Sequence, residues 1–264
     1  MQSKPLIELI CKELFFHEQD SVFKELESRL GIMDKDVYEA YEYYDSDVYG
    51  YDNDVYSSIP IRFVQYLHAR KYGSWHVAKN RTISAWLADY WPCKVVDVGY
   101  GIPQSYLLDR IPFPNNGSFA LLEKYKSAKL FGEQLINIYD EKSQSNIAFH
   151  EFDMDQDKIS HYGNADVHLF LDSLEHATDP EKLLESTRSA AHNKSVIFLS
   201  LPIGEIVPVH SISWSSANEI IAWVTRNGLD VQRTKELAPN PKVDIFIESM
   251  HSSFSTLLLE CSCR

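Results

Sequence analysis

The stretch of chain that most constrains the fold is residues 94–108, which read KVVDVGYGIPQSYLL. Its run of valines predicts a buried strand. Gly99 and Gly101 follow at once, where the backbone must adopt conformations that a Cβ forbids or where a ligand touches the main chain. The segment from Ser105 to Arg110 then predicts a helix whose free N–H groups point back over the strand. A strand, a glycine turn and a helix in this order predict a nucleotide-binding cradle.

Two kinds of nucleotide cradle share this outline, and the spacing of small residues separates them. The dinucleotide fingerprint G-x-G-x-x-G requires a third small residue five places after the first glycine. That place holds Gln104, whose side chain would obstruct the pyrophosphate and the close packing of helix on strand. An acid two residues before the first glycine, here Asp97, is also foreign to the nicotinamide pattern. The spacing therefore argues against a nicotinamide dinucleotide.

The hydrophobic-Asp-x-Gly-x-Gly arrangement resembles the first motif of the Rossmann-like (class I) S-adenosylmethionine-dependent methyltransferases of the small-molecule type. The resemblance implies that the turn at Gly99 and Gly101 accommodates the methionine end of the cofactor S-adenosylmethionine, and that Asp97 helps to orient it. The chain departs from the motif at Pro103, where the family often has a third small residue. Because proline fixes φ and removes an N–H, we expect a stiffer turn that still forms the cofactor pocket. The alternative is a glycine-rich turn that binds no ligand.

An acid also ends the second predicted strand. Glu123 closes the apolar run that begins at Ser118, and it lies 26 residues after Asp97. In a unit of this kind an acid at that position holds the hydroxyls of a ribose. We expect Glu123 to bind the ribose of the cofactor, with an ordinary N-capping or surface glutamate as the alternative.

The third predicted strand, Ile147 to Phe152, is followed by Asp153 and Met154. The resemblance implies that this acid and this apolar residue flank the adenine, with the acid facing its amino group. Two further acids follow, Asp155 and Asp157, so the cluster equally suits a solvated turn.

The exit of the fourth predicted strand supplies polar candidates near the reacting atoms. The strand from Asp166 to Leu171 leads into Asp172 and then into residues 174–176, Leu-Glu-His. This phrase, with the helix start at residues 179–180, is similar to the fourth-strand exit of small-molecule methyltransferases, including the ubiquinone-biosynthesis type. We expect Asp172 to contact the cofactor and Glu175 to contact the acceptor.

Two histidines are the candidate catalytic residues. His176 and His210 fall on loops at the carboxyl ends of strands, where open α/β sheets bind ligands. Transfer of an activated methyl group needs mainly alignment, and it needs a base only when the acceptor arrives protonated. We expect a histidine to be that base and expect no metal.

The same segment also supports a metal hypothesis. Asp172-x-x-Glu175-His176 resembles the Glu-x-x-Glu-His sequence of metal-using O-methyltransferases, with Asp in place of the first Glu. Together with His210 it would offer a mixed carboxylate and imidazole set that suits several divalent ions. In many relatives, however, the Glu-His pair only caps a helix and lines the pocket.

The rest of the pattern completes an α/β fold. We expect a Rossmann-like seven-stranded sheet, mostly parallel with an antiparallel last strand, and helices on both faces, over residues 75–264. A fifth strand, the last crossover helix and two final strands are predicted at these positions: Ser195 to Leu201, Ser213 to the stop at Gly228, Leu229 to Lys235, and Ser255 to Glu260.

Residues 1–74 are expected to form an N-terminal helical lid over the substrate. Two short amphipathic helices are predicted there, Leu6 to Phe16 and Val22 to Leu30, and a further helix from Ile61 to Tyr72. Residues 34–56 carry eight acids against one lysine and seven of the fifteen tyrosines. Aromatic faces and carboxylates favour cations, so Tyr43 and Tyr44 are predicted to contact an amine-bearing or peptide acceptor. A solvated acidic loop explains the composition equally well.

Composition limits the classes of function. The net charge of −13 argues against a nucleic-acid substrate, because phosphate contacts supply most of the affinity in such complexes. No apolar run approaches the ~20 residues of a membrane span, and the amino terminus does not read as a signal peptide. The four cysteines lack metal spacing and are too few for a disulfide scaffold, which favours a cytoplasmic protein: Cys11, Cys93, Cys261 and Cys263.

The sequence thus predicts a cytoplasmic S-adenosylmethionine-dependent methyltransferase that acts on an oxygen or nitrogen of a small molecule. One alternative is methylation of a peptide or protein side chain. Another is a catalytically silent cofactor-binding module that uses residues 34–56 to hold a partner. A silent module would have no need of His176 and His210.

Overall fold

A computed structural model of the protein describes residues 21–44, 55–70, 74–140, 145–162, 164–204, 210–238 and 255–263. Within these ranges the side chains of residues 41–44, 55 and 68 are not described. The predicted helix from Leu6 to Phe16 lies outside the described residues, and so does most of the acidic segment after residue 44.

Seven strands form one sheet in the spatial order β3-β2-β1-β4-β5-β7-β6. The first five strands are parallel, and β7 runs antiparallel to both β5 and β6. The strands are β1 Lys94–Val98, β2 Ser118–Glu123, β3 Ile147–Glu151, β4 Val167–Leu171, β5 Val196–Ile203, β6 Leu229–Leu237 and β7 Ser255–Cys263. This confirms the predicted mostly parallel seven-stranded sheet. The strand order reverses between β1 and β4, and a ligand crevice forms outside the carboxyl ends of strands at such a reversal.

Eight α-helices accompany the sheet in the described part of the chain. They are α1 Ser21–Leu30, α2 Asp34–Tyr44, α3 Ile59–Arg70, α4 Trp75–Leu87, α5 Ser105–Leu108, α6 Lys126–Asp140, α7 Pro180–Ala190 and α8 Ala217–Arg226. Side-chain caps fix several starts: the Ser74 hydroxyl accepts from the Val77 amide at 3.2 Å, and Asp179 accepts from the Lys182 amide at 3.0 Å. None of these helices is both long and apolar enough to cross a membrane.

Side chains that alternate along each strand divide the core between the two faces of the sheet. Val95 packs with α1, α3, α4 and α6 on one face, whereas Val96 and Val98 pack with α7 and α8 on the other. The N-terminal helices belong to the first cluster, since Phe63 of α3 makes edge-to-face contacts at 5.2 Å with both Phe23 of α1 and Phe131 of α6. The helices of residues 21–70 therefore share a hydrophobic core with the sheet.

Helix α2 was not predicted from the sequence. It occupies the first half of residues 34–56, the segment whose composition suited either a lid or an acidic loop. Asp36 accepts a hydrogen bond from the Met33 amide at 2.9 Å, and acids in the first turn complement the helix dipole. The acidic character of residues 34–44 is thus partly explained by how this helix begins.

Candidate functional site

The glycine turn after β1 takes a backbone shape that only glycine adopts without strain. Gly99 has φ of 70° and Gly101 has φ of 62°, and a Cβ in this region costs about 1–2 kcal/mol. A Cβ on Gly99 would also lie 2.5 Å from Cβ of Ser173. Glycine is therefore required at both places because of the backbone conformation, as predicted. The turn brings the main chain to the carboxyl edge of the sheet.

Glu123 is bonded directly to this turn. Its Oε2 accepts a hydrogen bond from the Gly101 amide at 3.2 Å, and its Oε1 accepts from the Lys124 amide at 2.9 Å. Its side chain is 13% exposed. Because an ionised carboxylate accepts about four hydrogen bonds, Glu123 retains capacity for two hydroxyl donors. This geometry suits the predicted ribose contact, which stays a prediction.

Arg62 of α3 supports the turn from the N-terminal helices, a role that no sequence pattern indicates. The guanidinium is 1% exposed, and one Nη lies 4.0 Å from the Glu123 carboxylate. It donates hydrogen bonds to oxygens of four residues: Tyr56 at 2.6 Å, Gln65 at 3.0 Å, Ser127 at 3.1 Å and Gly101 at 3.3 Å. Arg62 thus joins α3, α6 and the glycine turn through one buried charge.

Asp97, at the end of β1, is 1% exposed. The Tyr106 hydroxyl donates to its Oδ2 at 2.5 Å, while its Oδ1 has no hydrogen-bond partner among the described residues. Burial raises the pKa of Asp97 to about 7, against the opposing effects of Tyr106 and Lys79. Asp97 therefore offers an unused acceptor beneath the turn. Pro103 is buried beyond it, with its Cδ against α6.

Asp153 takes part in the turn that follows β3. Its amide donates to Asp157 at 2.8 Å, and its Oδ1 accepts from the Asp155 amide at 3.0 Å. Lys124, beside Glu123, lies 3.5 Å from its other oxygen. Met154 packs against the core on the α7 side of the sheet. These contacts agree with the solvated-turn interpretation, and the predicted adenine contacts of both residues remain untested.

Asp172, directly after β4, has φ of 55°, the left-handed region that residues with a Cβ seldom adopt. Its two carboxylate oxygens are taken by the ammonium of Lys79, from α4, and by the hydroxyl of Ser200, from β5. Lys79 is 2% exposed and lies over the ring of Trp75 at 4.7 Å. Asp172 is therefore paired with a buried lysine that no sequence pattern indicates.

Glu175, His176 and His210 come together at the same edge of the sheet. One ligand atom from each lies within 4.8 Å of the others, and the two imidazole rings are perpendicular with centroids 4.7 Å apart. Glu175 is 2% exposed, and its Oε2 has no hydrogen-bond partner in the described part of the chain. The structure thus assembles three of the predicted residues into one cluster.

The protonation of this cluster is set mainly by burial. Burial, and then the nearby Asp172, raise the pKa of Glu175 to about 8. Burial, and then His176, lower the pKa of His210 to about 3. An imidazole with so low a pKa is neutral at pH 7 and is a weak proton acceptor.

Tyr43 and Tyr44, the predicted acceptor contacts in the N-terminal segment, end helix α2. The structure does not describe their side chains. Their role stays a prediction.

Comparison with known proteins supports the fold. No protein-family model matches the chain, and no curated protein matches its sequence. Among solved structures, a [4+2]-cyclase, SpnF, matches with a TM-score of 0.53 at 10% identity, over 73% of this chain and 83% of that one. An O-methyltransferase of a trans-AT polyketide synthase from Brevibacillus brevis, in complex with S-adenosyl-L-homocysteine, matches with a TM-score of 0.52 at 13% identity, over 70% and 71%.

A third similar structure is an O-methyltransferase from neocarzinostatin biosynthesis, in complex with S-adenosylmethionine and 2-hydroxy-5-methyl naphthoic acid. It matches with a TM-score of 0.50 at 14% identity, over 78% of this chain and 57% of that one. The chain has the fold of the Rossmann-like S-adenosylmethionine-dependent methyltransferases. The cyclase among these structures illustrates that the fold alone does not fix the reaction.

Proposed function

We propose that the protein binds S-adenosylmethionine and transfers its methyl group to an oxygen or nitrogen of a small molecule. The observation that carries this proposal is the hydrogen bond between the Gly101 amide and the Glu123 carboxylate. It joins a glycine turn and a strand-end acid at the carboxyl edge of the sheet, where the strand order reverses between β1 and β4. Similar structures contain S-adenosylmethionine or its demethylated product.

The described residues fit the cofactor. The glycine turn lies at the carboxyl edge of the sheet, and Glu123 beside it would accept the ribose hydroxyls. The Asp97 oxygen that has no hydrogen-bond partner among the described residues would accept a further donor. The bound cofactor supplies a methyl group that is already activated on a sulfonium. The work left to the protein is to hold acceptor and methyl group in line and to exclude water.

The acceptor would lie at the exit of β4, beside Glu175, His176 and His210. A base is needed only for an acceptor that arrives protonated. The low pKa of His210 makes it a poor base near pH 7, so a histidine base in this proposal would be His176. His210 would contribute by contact with the acceptor.

Cofactor identity is tested by titration calorimetry with S-adenosylmethionine, S-adenosylhomocysteine and NAD⁺. We expect the first two to bind and NAD⁺ not to bind. Glu123→Gln should weaken binding by at least ~10-fold, because charge-assisted hydrogen bonds to a ribose are each worth roughly 1.5–3 kcal/mol. The matched control is Glu133→Gln, on the surface of α6. Equal affinity for both variants would remove Glu123 from the site.

The reaction is tested separately with methyl-labelled cofactor and a panel of phenols, carboxylic acids, amines and peptides. Label transferred to a small molecule supports the proposal. Label found only in peptides would favour the peptide alternative. Cofactor binding with no transfer to any acceptor class would favour the silent module.

A further inference from the structure

A cleft lies at the amino edge of the sheet, on the opposite side from the glycine turn. It has a volume of about 450 Å³, within the roughly 300–1,000 Å³ of small-molecule sites. Its described lining comes from the starts of β1, β2 and β3, from the segment that precedes β4 and from the end of α7. Because β1 has five residues, its start lies about 15 Å from the glycine turn. The cleft is therefore separate from the proposed cofactor site.

The cleft exists because a short turn, rather than a helix, covers one face of β2 and β3. Parallel sheets are normally covered on both faces by helices, and α6 covers the other face here. On the α7 side, the described part of the crossover from β3 to β4 contains a 3-10 turn, Ile159–Tyr162, and no α-helix. The floor beneath it is made by Val96, Ala120 and Ala148, which are neighbours in register. These side chains are small, so the floor is low and apolar.

The rim of the cleft favours an anion. Lys94 and Ser118 are paired in register at the outer end of the floor. Because side chains alternate along a strand, both lie on the same face as Val96. Lys94 is exposed and forms no ion pair among the described residues. No aspartate or glutamate is among the described residues that line the cleft, although the chain carries a net charge of −13. An acid group would therefore meet an ammonium and a hydroxyl without a competing carboxylate.

A buried histidine continues the row of side chains that forms the floor. His168 of β4 is in register with Val96, so its ring lies on the same face, one strand further along. It is 0% exposed, and neither ring nitrogen has a hydrogen-bond partner among the residues described. Burial, and then His192, lower its pKa to about 4, which leaves the imidazole neutral at pH 7. Buried polar groups are nearly always hydrogen-bonded, and a ligand that extends past Val96 would supply the missing partner.

The wall of the cleft offers an aromatic surface. Tyr162 lines the cleft, and its ring packs against His150 at 4.9 Å and against Phe152 at 5.9 Å. Aromatic rings pack favourably on one another in offset or edge-to-face arrangements. A flat ring therefore suits the space between this wall and the alanine floor.

We propose that this cleft binds a small aryl carboxylate. The acid group lies beside Lys94 and Ser118, the ring lies on Ala120 and Ala148, and a hydroxyl at the far end of the ring bonds to His168. This second site does not depend on the proposed methyl transfer, because it shares no residue with the glycine turn or with the exit of β4.

The test is binding of three probes to the full chain, measured by saturation-transfer NMR: benzoate, 4-hydroxybenzoate and benzamide. We expect both acids to bind saturably at millimolar concentration, with 4-hydroxybenzoate the tighter of the two. Benzamide has the same shape without the charge. It should bind at least ~10-fold more weakly than benzoate, because charge-assisted hydrogen bonds are about twice as strong as neutral ones.

Two variants, each with a matched control, locate the site. Ala148→Leu fills the floor and should abolish binding of both acids, whereas Ala85→Leu, on the exposed face of α4, should not change it. Lys94→Met keeps the aliphatic stem and should weaken binding of benzoate by at least ~10-fold. Lys24→Met, on the exposed face of α1, should leave it unchanged. Circular dichroism verifies that each variant is folded.

A third variant separates a ligand contact from a structural role. His168→Leu should raise stability to urea, because it removes a buried imidazole that makes no hydrogen bond among the described residues. It should also remove the preference for 4-hydroxybenzoate over benzoate. Lower stability with an unchanged preference would give His168 a purely structural role and remove it from the site.

No saturable binding of either acid would overturn this inference, and so would equal binding of benzamide, or unchanged binding in folded Ala148→Leu. Binding that survives Ala148→Leu but is lost in His210→Ala would assign the acids to the exit of β4 and exclude the second site. Titration with S-adenosylmethionine separates this inference from the proposed function. Cofactor binding without binding of the acids sinks only the second site, and the reverse result sinks only the methyltransferase proposal.

Discussion

The two halves of the carboxyl edge of the sheet are built in different ways. At the glycine turn, the decisive bond joins Gly101 to Glu123, which are 22 residues apart in consecutive elements of one β-α-β unit. At the exit of β4, Asp172 is held by Lys79 from 93 residues earlier and by Ser200 from 28 residues later. The first half is specified by local backbone requirements. The second depends on side chains that only the folded chain brings together.

The two halves touch at Ser173. Ser173, the residue after Asp172, donates a hydrogen bond from its hydroxyl to the carbonyl oxygen of Val98 at 2.6 Å. The same side chain fills the space where a Cβ on Gly99 would lie. The glycine turn and the exit of β4 therefore fix each other's position.

The largest expected effect concerns the charge pair in the second half. Lys79→Met should destabilise the protein by about 3 kcal/mol, because it leaves the Asp172 carboxylate without its cation in a mostly buried place. Asp172→Asn should cost a similar amount, since it strands a buried ammonium. Urea unfolding monitored by circular dichroism measures both.

The double variant decides whether these two costs belong to one pair. Lys79→Met with Asp172→Asn should be more stable than the sum of the single changes predicts, because no uncompensated charge is left. Simple additivity of the two losses would show that Lys79 and Asp172 are not coupled. The exit of β4 would then not depend on a distant charge pair, and the difference from the glycine turn would no longer hold.

The next effect probes the junction. Gly99→Ala should cost about 2 kcal/mol, from its positive φ and from overlap with Ser173. Gly101→Ala is the matched comparison: it has a similar φ, but the nearest atoms to its Cβ would belong to the Gln65 side chain, at 3.3 Å. We expect about 1 kcal/mol there. Equal losses of stability in the two variants would mean that Ser173 does not constrain the turn.

The smallest effect is a pH dependence at Asp97. Its pKa is about 7 in the folded protein against 3.8 for the free side chain, so the folded state holds the proton more tightly. The contribution of protonated Asp97 to the stability of the fold is complete at low pH. It is lost as the pH rises to about 7. From about pH 6 to about pH 8 the loss should be about 1 kcal/mol.

The change in stability with pH is measured by chemical unfolding with and without Asp97→Asn. Both proteins carry Glu175→Gln, which removes the other buried carboxyl group with a raised pKa among the described residues. Tyr106, Lys79 and Glu123 are the groups that shift Asp97 and are present in both proteins. With Asn at position 97, this loss of about 1 kcal/mol should be missing from the change in stability between about pH 6 and about pH 8. A slope that persists unchanged would show that Asp97 is already ionised in this range.

The same contrast explains what the sequence could predict. The strands, the glycine turn and Glu123 could be predicted because their signals lie within short stretches of sequence. These signals are the hydrophobic periodicity, the runs of β-branched residues and the glycines at positive φ. Helix α2 was missed because acids and tyrosines dominate its composition, and in it Val37 is buried in the core. Lys79 and Arg62 were missed because a charged residue on a helix ordinarily predicts a solvated face. Only their distant partners reveal that they are buried.

Arg62 has a further consequence, for the way the molecule opens. Its guanidinium ties the carbonyl oxygen of Tyr56, the Ser127 hydroxyl and the carbonyl oxygen of Gly101 together. Separating α3 from the sheet would expose this charge and break all three bonds at once. The amide hydrogens of α3 and those of the glycine turn therefore belong to one cooperative unit for hydrogen exchange. Any ligand that stabilises the turn slows exchange in a helix that it does not touch.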